Sequence, residues 1–104
     1  MSQKSNFHSI INSEKPVLID FYADWCGPCK SYSPIIQQLK QDLGDQVKVI
    51  KIDVDKNQTL SNNLNVRSIP TTMIYQSGEL KWRAMGAQSL VVLKQQLANL
   101  MTSA

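Results

Sequence analysis

The chain has 104 residues, 42% hydrophobic and 18% charged, which suits one domain (residues 1–104) with its own core and leaves no room for a second. Eleven Lys and Arg against eight Asp and Glu give a net charge of +3, and their scatter excludes the one-sided basic face of a nucleic-acid binder. Two cysteines exclude a disulfide-stapled secreted scaffold; with no signal-like block in residues 1–15 and no run able to cross a bilayer, a cytoplasmic protein without a membrane partner is expected.

In chain order, residues 5–12 read as a short helix: Ser5 suits its N-cap, and Phe7, Ile10 and Ile11 recur at i, i+3 and i+4. His8 falls off that stripe and belongs on the surface. Lys15-Pro16 ends the helix and opens an extended run. Val17 to Tyr22 reads as a central strand, apolar on both faces, as in a sheet covered by helices on each side. Asp20 is the anomaly. A carboxylate inside such a run is buried, and burial penalises its charged form and raises its pKa. It serves either as a proton acceptor beneath the cysteines, six residues upstream of Cys26, or as an edge or strand-end aspartate bonded to backbone.

Asp24-Trp25-Cys26-Gly27-Pro28-Cys29-Lys30 holds both cysteines at the point where this strand hands over to a helix. The first sulfur then sits over unpaired backbone N–H groups at the positive end of the helix dipole, which stabilises a thiolate. Thiolate is the attacking species, so Cys26 is the candidate nucleophile. Cys29, one helical turn on, can close a disulfide with it and is the candidate resolving partner. Three other readings compete. A zinc site needs about four ligands, and the single histidine, His8, is remote in sequence. A purely structural disulfide over so small a loop would constrain the unfolded chain little. Two inert thiols would not call for Gly27-Pro28 between them or Trp25 beside them.

From Cys26 to about Leu43 the helix is well marked: Tyr32, Ile35, Ile36, Leu39 and Leu43 make the inward stripe, and Gly44 suits the C-cap. Pro28 is tolerated in the first turn. Pro34 lies deeper, removes a hydrogen bond to the Lys30 carbonyl, and is expected to kink the helix. Val47 to Asp53 is a second strand, interrupted by Lys51, which is either solvated or a partner for Asp20. Residues 57–64 form a short helix with Leu60 and Leu64 inward. Pro70 directly precedes a strand over Thr72–Tyr75, Ser77-Gly78 turns the chain, and Glu79–Met85 returns with Leu80, Trp82 and Ala84 alternating with Lys81, Arg83 and Met85. Trp82 reads as core. Ser89 begins a last helix with Leu90, Leu93, Leu97, Leu100 and Met101 on one face. The order αβαβαββα predicts an α/β fold whose first two strands are parallel across a right-handed crossover and whose last two form a hairpin.

Over Val17 to about Leu97, roughly four-fifths of the chain, the sequence resembles the thioredoxin family. Cys-Gly-Pro-Cys after Trp25, Asp20 six residues before it, and Ile69-Pro70-Thr71, with Pro70 forty-one after Cys29, match the family pattern, and Lys51 and Gly86 fall at family spacing. The resemblance implies that Pro70 is cis opposite Cys26 and that the backbone of Ile69 pairs with an extended substrate segment. Trp25, Gly27, Pro28, Gly86 and Ala87 would border that groove. Asp20, through water and near Lys51, would take the proton from Cys29. Family members usually begin with a strand ahead of the first helix, for which the N-terminus here is too short. A mixed sheet of four strands flanked by helices is therefore expected, with Val47–Asp53 at an edge that Lys48 and Lys51 discourage from pairing. Tyr22 stands where a tryptophan is frequent.

Gly27-Pro28 places no cation between the cysteines to stabilise the Cys26 thiolate, so the couple should act as a reductant of protein disulfides. The resemblance implies a monomer that binds no cofactor or metal and is recharged from NADPH by a flavin-containing thioredoxin reductase. An oxidase or isomerase of an exported compartment, and a non-enzymatic binding module on the same scaffold, are the rival functions.

Overall fold

The computed structural model describes residues 3–101, with side chains from residue 6 onward. Its elements are α1 (Gln3–Ile11), β1 (Val17–Tyr22), α2 (Gly27–Leu43), β2 (Lys48–Asp53), α3 (Gln58–Asn63), β3 (Thr71–Gln76), β4 (Glu79–Met85) and α4 (Leu90–Met101), with a 3-10 turn at Gly44–Gln46. The strands form one mixed sheet in the order β2-β1-β3-β4. β1 runs parallel to β2 and antiparallel to β3, and β3 and β4 make the hairpin. No strand precedes α1 among the described residues, and β2 lies at an edge. No helix there is long and apolar enough to cross a membrane.

β1 is central because both its faces are apolar. Val17, Ile19 and Phe21 pack on one side with Phe7 and Ile11 of α1, Leu60 of α3 and Tyr75 of β3. Phe7 meets Tyr75 edge to face, with ring centroids 5.4 Å apart. Leu18 and Ile74 point to the other side, where Tyr32, Ile36 and Leu39 of α2 and Leu93 and Leu97 of α4 close over them. By alternation Asp20 shares that second face. Ser89 Oγ accepts the Val92 N–H at 3.1 Å and so caps α4.

The elements start and stop close to where the sequence put them, with informative exceptions. α1 begins at Gln3, ahead of the expected cap; the side chain of Ser5 lies outside the described residues. α2 spans its expected length, with Pro34 inside it on the exposed side. Leu80 does not share a face with Trp82. Ile74 pairs with Trp82 but Tyr75 pairs with Leu80, so Lys81 is the extra residue of a bulge, and Leu80 is left 46% exposed. The hairpin turn places Ser77 and Gly78 at φ 53° and 83°, where glycine fits at no steric cost, and their N–H groups donate to Ser13 and Ile11 carbonyls at 2.7 and 3.0 Å. The turn is thereby fastened to the end of α1.

Leu97→Ala should cost about 2–5 kcal/mol, because a fully buried leucine between α2 and α4 leaves a cavity there. Val91→Ala, on the exposed face of the same helix, should cost within about 0.5 kcal/mol. Urea unfolding of both variants checks the contrast, and equal losses would contradict this packing.

Candidate active site

β1 ends at Tyr22, and the chain crosses the top of the sheet to enter α2. Cys26 is the N-cap of that helix: its carbonyl accepts the Lys30 N–H at 3.2 Å, and its sulfur accepts the Cys29 N–H at 3.2 Å. Cys26 and Cys29 are joined in a disulfide, with Cα atoms 5.3 Å apart. Both are 4% exposed, whereas Gly27 and Pro28 between them and Trp25 before them face solvent. The helix N-terminus therefore holds the couple with a backbone donor already aimed at the first sulfur.

Opposite that sulfur lies the loop ahead of β3. The Ile69–Pro70 peptide is cis, and the Ile69 carbonyl oxygen stands 3.8 Å from Cys26 Sγ. The Pro70 carbonyl accepts the Gly86 N–H at 2.7 Å, tying this loop to the end of β4. Gly86 has φ 83°, in the region that favours glycine. Gln88 Nε2 donates to the Met85 and Gly86 carbonyls at 3.2 and 3.1 Å, and Ala87 is exposed beside them. On the other flank the Trp25 indole N–H donates to Asp55 Oδ2 at 2.8 Å, so a side chain 70% exposed is held in place. Trp25, Val54, Val66, Arg67 and Ile69 line a pocket of about 180 Å³ beside the sulfur. Cys26, Ile69, Pro70, Gly86 and Trp25, far apart in sequence, are thus brought to one surface.

Asp20 is completely buried, and neither carboxylate oxygen has a hydrogen-bond partner among the described residues. The alternative of a strand-end aspartate bonded to backbone fails on that observation. Burial raises its pKa to about 6, against the opposing pull of Lys51. Lys51 is the direct cross-strand neighbour of Asp20, yet its side chain is exposed and its ammonium lies 4.4 Å from the centroid of the Tyr22 ring. It is therefore both solvated and electrostatically coupled to Asp20, which joins the two readings the sequence allowed. Tyr22, Ala23, Cys29, Lys30, Ser33 and Lys51 line a pocket of about 300 Å³, so the second cysteine and the lysine open onto the same space.

Sequence reasoning missed the supporting residues. Asp55 and Gln88 show no spacing signal, because they act across loops. Tyr32 was legible as core but not as polar: its hydroxyl lies 2.8 Å from Thr72 Oγ1, both buried on the face of Asp20. Arg83 looked like a solvated strand residue, yet its guanidinium donates to the Leu64 and Asn65 carbonyls at 2.6 and 2.5 Å and anchors the segment leading to Pro70. Among the described residues no group of three or more His, Cys, Asp or Glu side chains could hold a metal ion.

The family model described as Thioredoxin matches residues 1–99. The chain is 43% identical over 79 residues to a thioredoxin of Rickettsia felis, an alignment covering 76% of this chain and 75% of that protein. It is 36% identical over 99 residues to the bifunctional thioredoxin reductase/thioredoxin of Mycobacterium leprae, covering 95% of this chain and 22% of the longer protein. Among solved structures, oxidized mitochondrial thioredoxin 3 of Saccharomyces cerevisiae superposes with a TM-score of 0.83 at 30% identity, covering 92% of this chain and 89% of that one.

The buried carboxyl makes stability depend on pH. Its folded pKa of about 6 lies above the ordinary 3.8, so the native state favours the protonated form. Its stabilising contribution is full below about 3.8 and is lost as pH rises through about 6. Asp20→Asn, which cannot ionise, should therefore gain stability relative to the parent between pH 4 and 6, by on the order of 3 kcal/mol at the plateau. Urea unfolding across that range checks it, and a difference that does not change with pH would contradict it.

Proposed function

The chain belongs to the thioredoxin family and is a thiol–disulfide oxidoreductase, and from that premise we propose that it reduces protein disulfides, with Cys26 attacking and Cys29 resolving. The observation that carries this reading is the placing of Cys26 Sγ at the N-terminus of α2, under the Cys29 N–H and 3.8 Å from the Ile69 carbonyl. A thiolate formed there keeps a charge-assisted hydrogen bond and faces an edge of backbone on which a substrate strand can lie.

In the proposed cycle the Cys26 thiolate attacks one sulfur of a substrate disulfide. The substrate S–S bond breaks, the departing sulfur takes up a proton, and a mixed disulfide forms on Cys26. Cys29 then gives its proton to Asp20 and attacks Cys26 Sγ, which expels the second substrate sulfur. Two electrons have passed to the substrate, and the Cys26–Cys29 bond is closed. With a pKa of about 6, Asp20 is ionised near neutral pH and close enough in acidity to accept a proton in that step. Lys51 sets how far burial raises Asp20. Trp25, Gly27, Pro28, Ile69, Pro70, Gly86 and Ala87 frame the substrate, the Ile69 backbone pairing with its extended segment.

The direction follows from the exposed Gly27-Pro28 pair, which puts no cation beside the reduced sulfur, so the dithiol gives up its electrons readily. A monomer working in the reducing cytoplasm fits that direction. Recharging falls to an NADPH-dependent, flavin-containing thioredoxin reductase. The Mycobacterium leprae relative, named for both a reductase and a thioredoxin, supports that pairing.

Reduction of insulin disulfides with NADPH and a thioredoxin reductase tests the activity. Cys26→Ser should abolish turnover, and Cys29→Ser should leave substrate covalently trapped on Cys26, seen as a mass increase that dithiothreitol removes. Asp20→Asn should slow the resolving step near neutral pH in stopped-flow. Unchanged insulin reduction by Cys26→Ser would refute the proposal.

A further inference from the structure

Tyr32 and Thr72 are both fully buried, with their hydroxyl oxygens 2.8 Å apart. An unbonded hydroxyl in an apolar interior is costly, and here the two share one hydrogen bond. Their location is what matters. Thr72 is the direct cross-strand partner of Asp20 on the β1–β3 ladder, and opposed residues send their side chains to the same face. Tyr32 follows Cys29 by one helical turn on the same side of α2.

Either hydroxyl can donate in that contact, and each carries a single proton. Burial raises the pKa of the Tyr32 phenol and the nearby Asp20 charge adds to the rise, while hydrogen bonds from Thr72 and the Gln88 backbone oppose it. Whichever of the two donates, the proton of the other is left without an acceptor in the pair. The carboxylate on the same face, opposite Thr72, has two oxygens without hydrogen-bond partners among the described residues.

We propose that Tyr32 and Thr72 are a positioning pair that aims a hydroxyl dipole at Asp20 and favours its ionised form. This rests on the base role given to Asp20 above and names the residues that set it. An oriented dipole acts on a neighbouring carboxylate even without direct contact, because little solvent screens it inside the protein. The ionisable groups around the carboxylate are Lys51 from β2, Tyr32 from α2 and Tyr22 from its own strand, with Lys30 and Asp24 farther out on the rim of the adjoining pocket, while Cys29 is held in the disulfide. Thr72 is the group β3 presents opposite it, and α4 packs over this face with Leu90, Leu93 and Leu97. The hydroxyl pair and Lys51 are thus the features that work against burial.

Carbon-13 NMR of the Asp20 carboxyl across pH, in the full-length oxidised protein, reads the effect directly. Thr72→Val and Tyr32→Phe should each move the titration midpoint upward by about half a pH unit, which leaves roughly threefold less carboxylate at any pH below it. Thr72→Ser, which keeps the hydroxyl, should restore the parent midpoint; a purely structural role would not show that recovery. If Tyr32→Phe does not fold, the valine and serine variants at Thr72 carry the comparison. An unmoved midpoint in folded Thr72→Val overturns the pair, and Asp20→Asn still slowing resolution would then leave the base role intact. A shifted midpoint with Asp20→Asn resolving at the parental rate would instead overturn the base role while upholding the pair.

Discussion

The structure depends on one constraint, the complete burial of β1. Val17, Leu18, Ile19, Asp20 and Phe21 have no exposed surface, because a helical layer covers each face and a strand flanks each edge. Such a strand has no freedom to slip, since a one-residue shift would exchange its two side-chain sets. It therefore fixes the height at which the chain leaves the sheet at Tyr22, and with it the position of Cys26 at the head of α2. The same burial removes Asp20 from water. One packing arrangement places the sulfur couple and alters the acidity of the carboxylate on the covered face of the same sheet.

The fold was legible wherever a residue's burial follows from its own period. β1 showed itself as an unbroken apolar run, and α2 as a stripe through Tyr32, Ile36 and Leu39, so the order of elements and the parallel β1–β2 pair were readable from the chain. The cysteine pair was readable because its chemistry is local: two sulfurs one turn apart at a strand-to-helix junction need no distant partner to be recognised. What the sequence hid was the geometry created between elements. The bulge at Lys81 depends on how β4 meets β3, and it turned Leu80 outward although its alternation with Trp82 looked regular. Arg83 carries nothing in its neighbours to mark it as a clamp, yet it holds the Leu64 and Asn65 carbonyls across the fold. The cis state of Ile69–Pro70 came from family likeness and not from any local signal, since an X-Pro bond is trans by base rate.

The groove around the sulfur is built from pieces that cannot move independently. Pro70 O and the Gly86 N–H bind the loop before β3 to the end of β4, and Gln88 braces the same corner from beyond it. Asp55 braces Trp25 from the segment following β2, and Asp53 accepts the Asp55 and Lys56 N–H groups at 2.9 and 3.2 Å, so the bracing residue is itself fixed. Each link costs little to make, because one partner is already ordered by the sheet. A preorganised surface lowers the entropy cost of docking an extended substrate, so more of the contact energy appears as affinity.

A buried carboxylate opposes folding at neutral pH, where it is charged, and the helical face that covers it shows how the cost is contained. On the α1 and α3 side the core from Phe7 to Tyr75 is apolar, and the few polar atoms beside it are paired locally, the Tyr75 hydroxyl with Met73 Sδ and the Thr71 hydroxyl with the Ser68 carbonyl. On the α2 and α4 side the polar residues gather at the end nearest the cysteines: Asp20 and Thr72 on neighbouring strands, Tyr32 above them, and Lys51 on the solvent edge. Lower on that face Leu18, Ile74, Leu39 and Leu97 exclude polar groups. The division lets the chain accept a loss of a few kcal/mol at one end of the sheet while the other end supplies the cohesion. A carboxyl relieved of that burden by full solvation would return toward its ordinary acidity and become a weaker proton acceptor at pH 7. The instability at Asp20 is therefore the same physical quantity as its readiness to take a proton, and neither can be removed without the other.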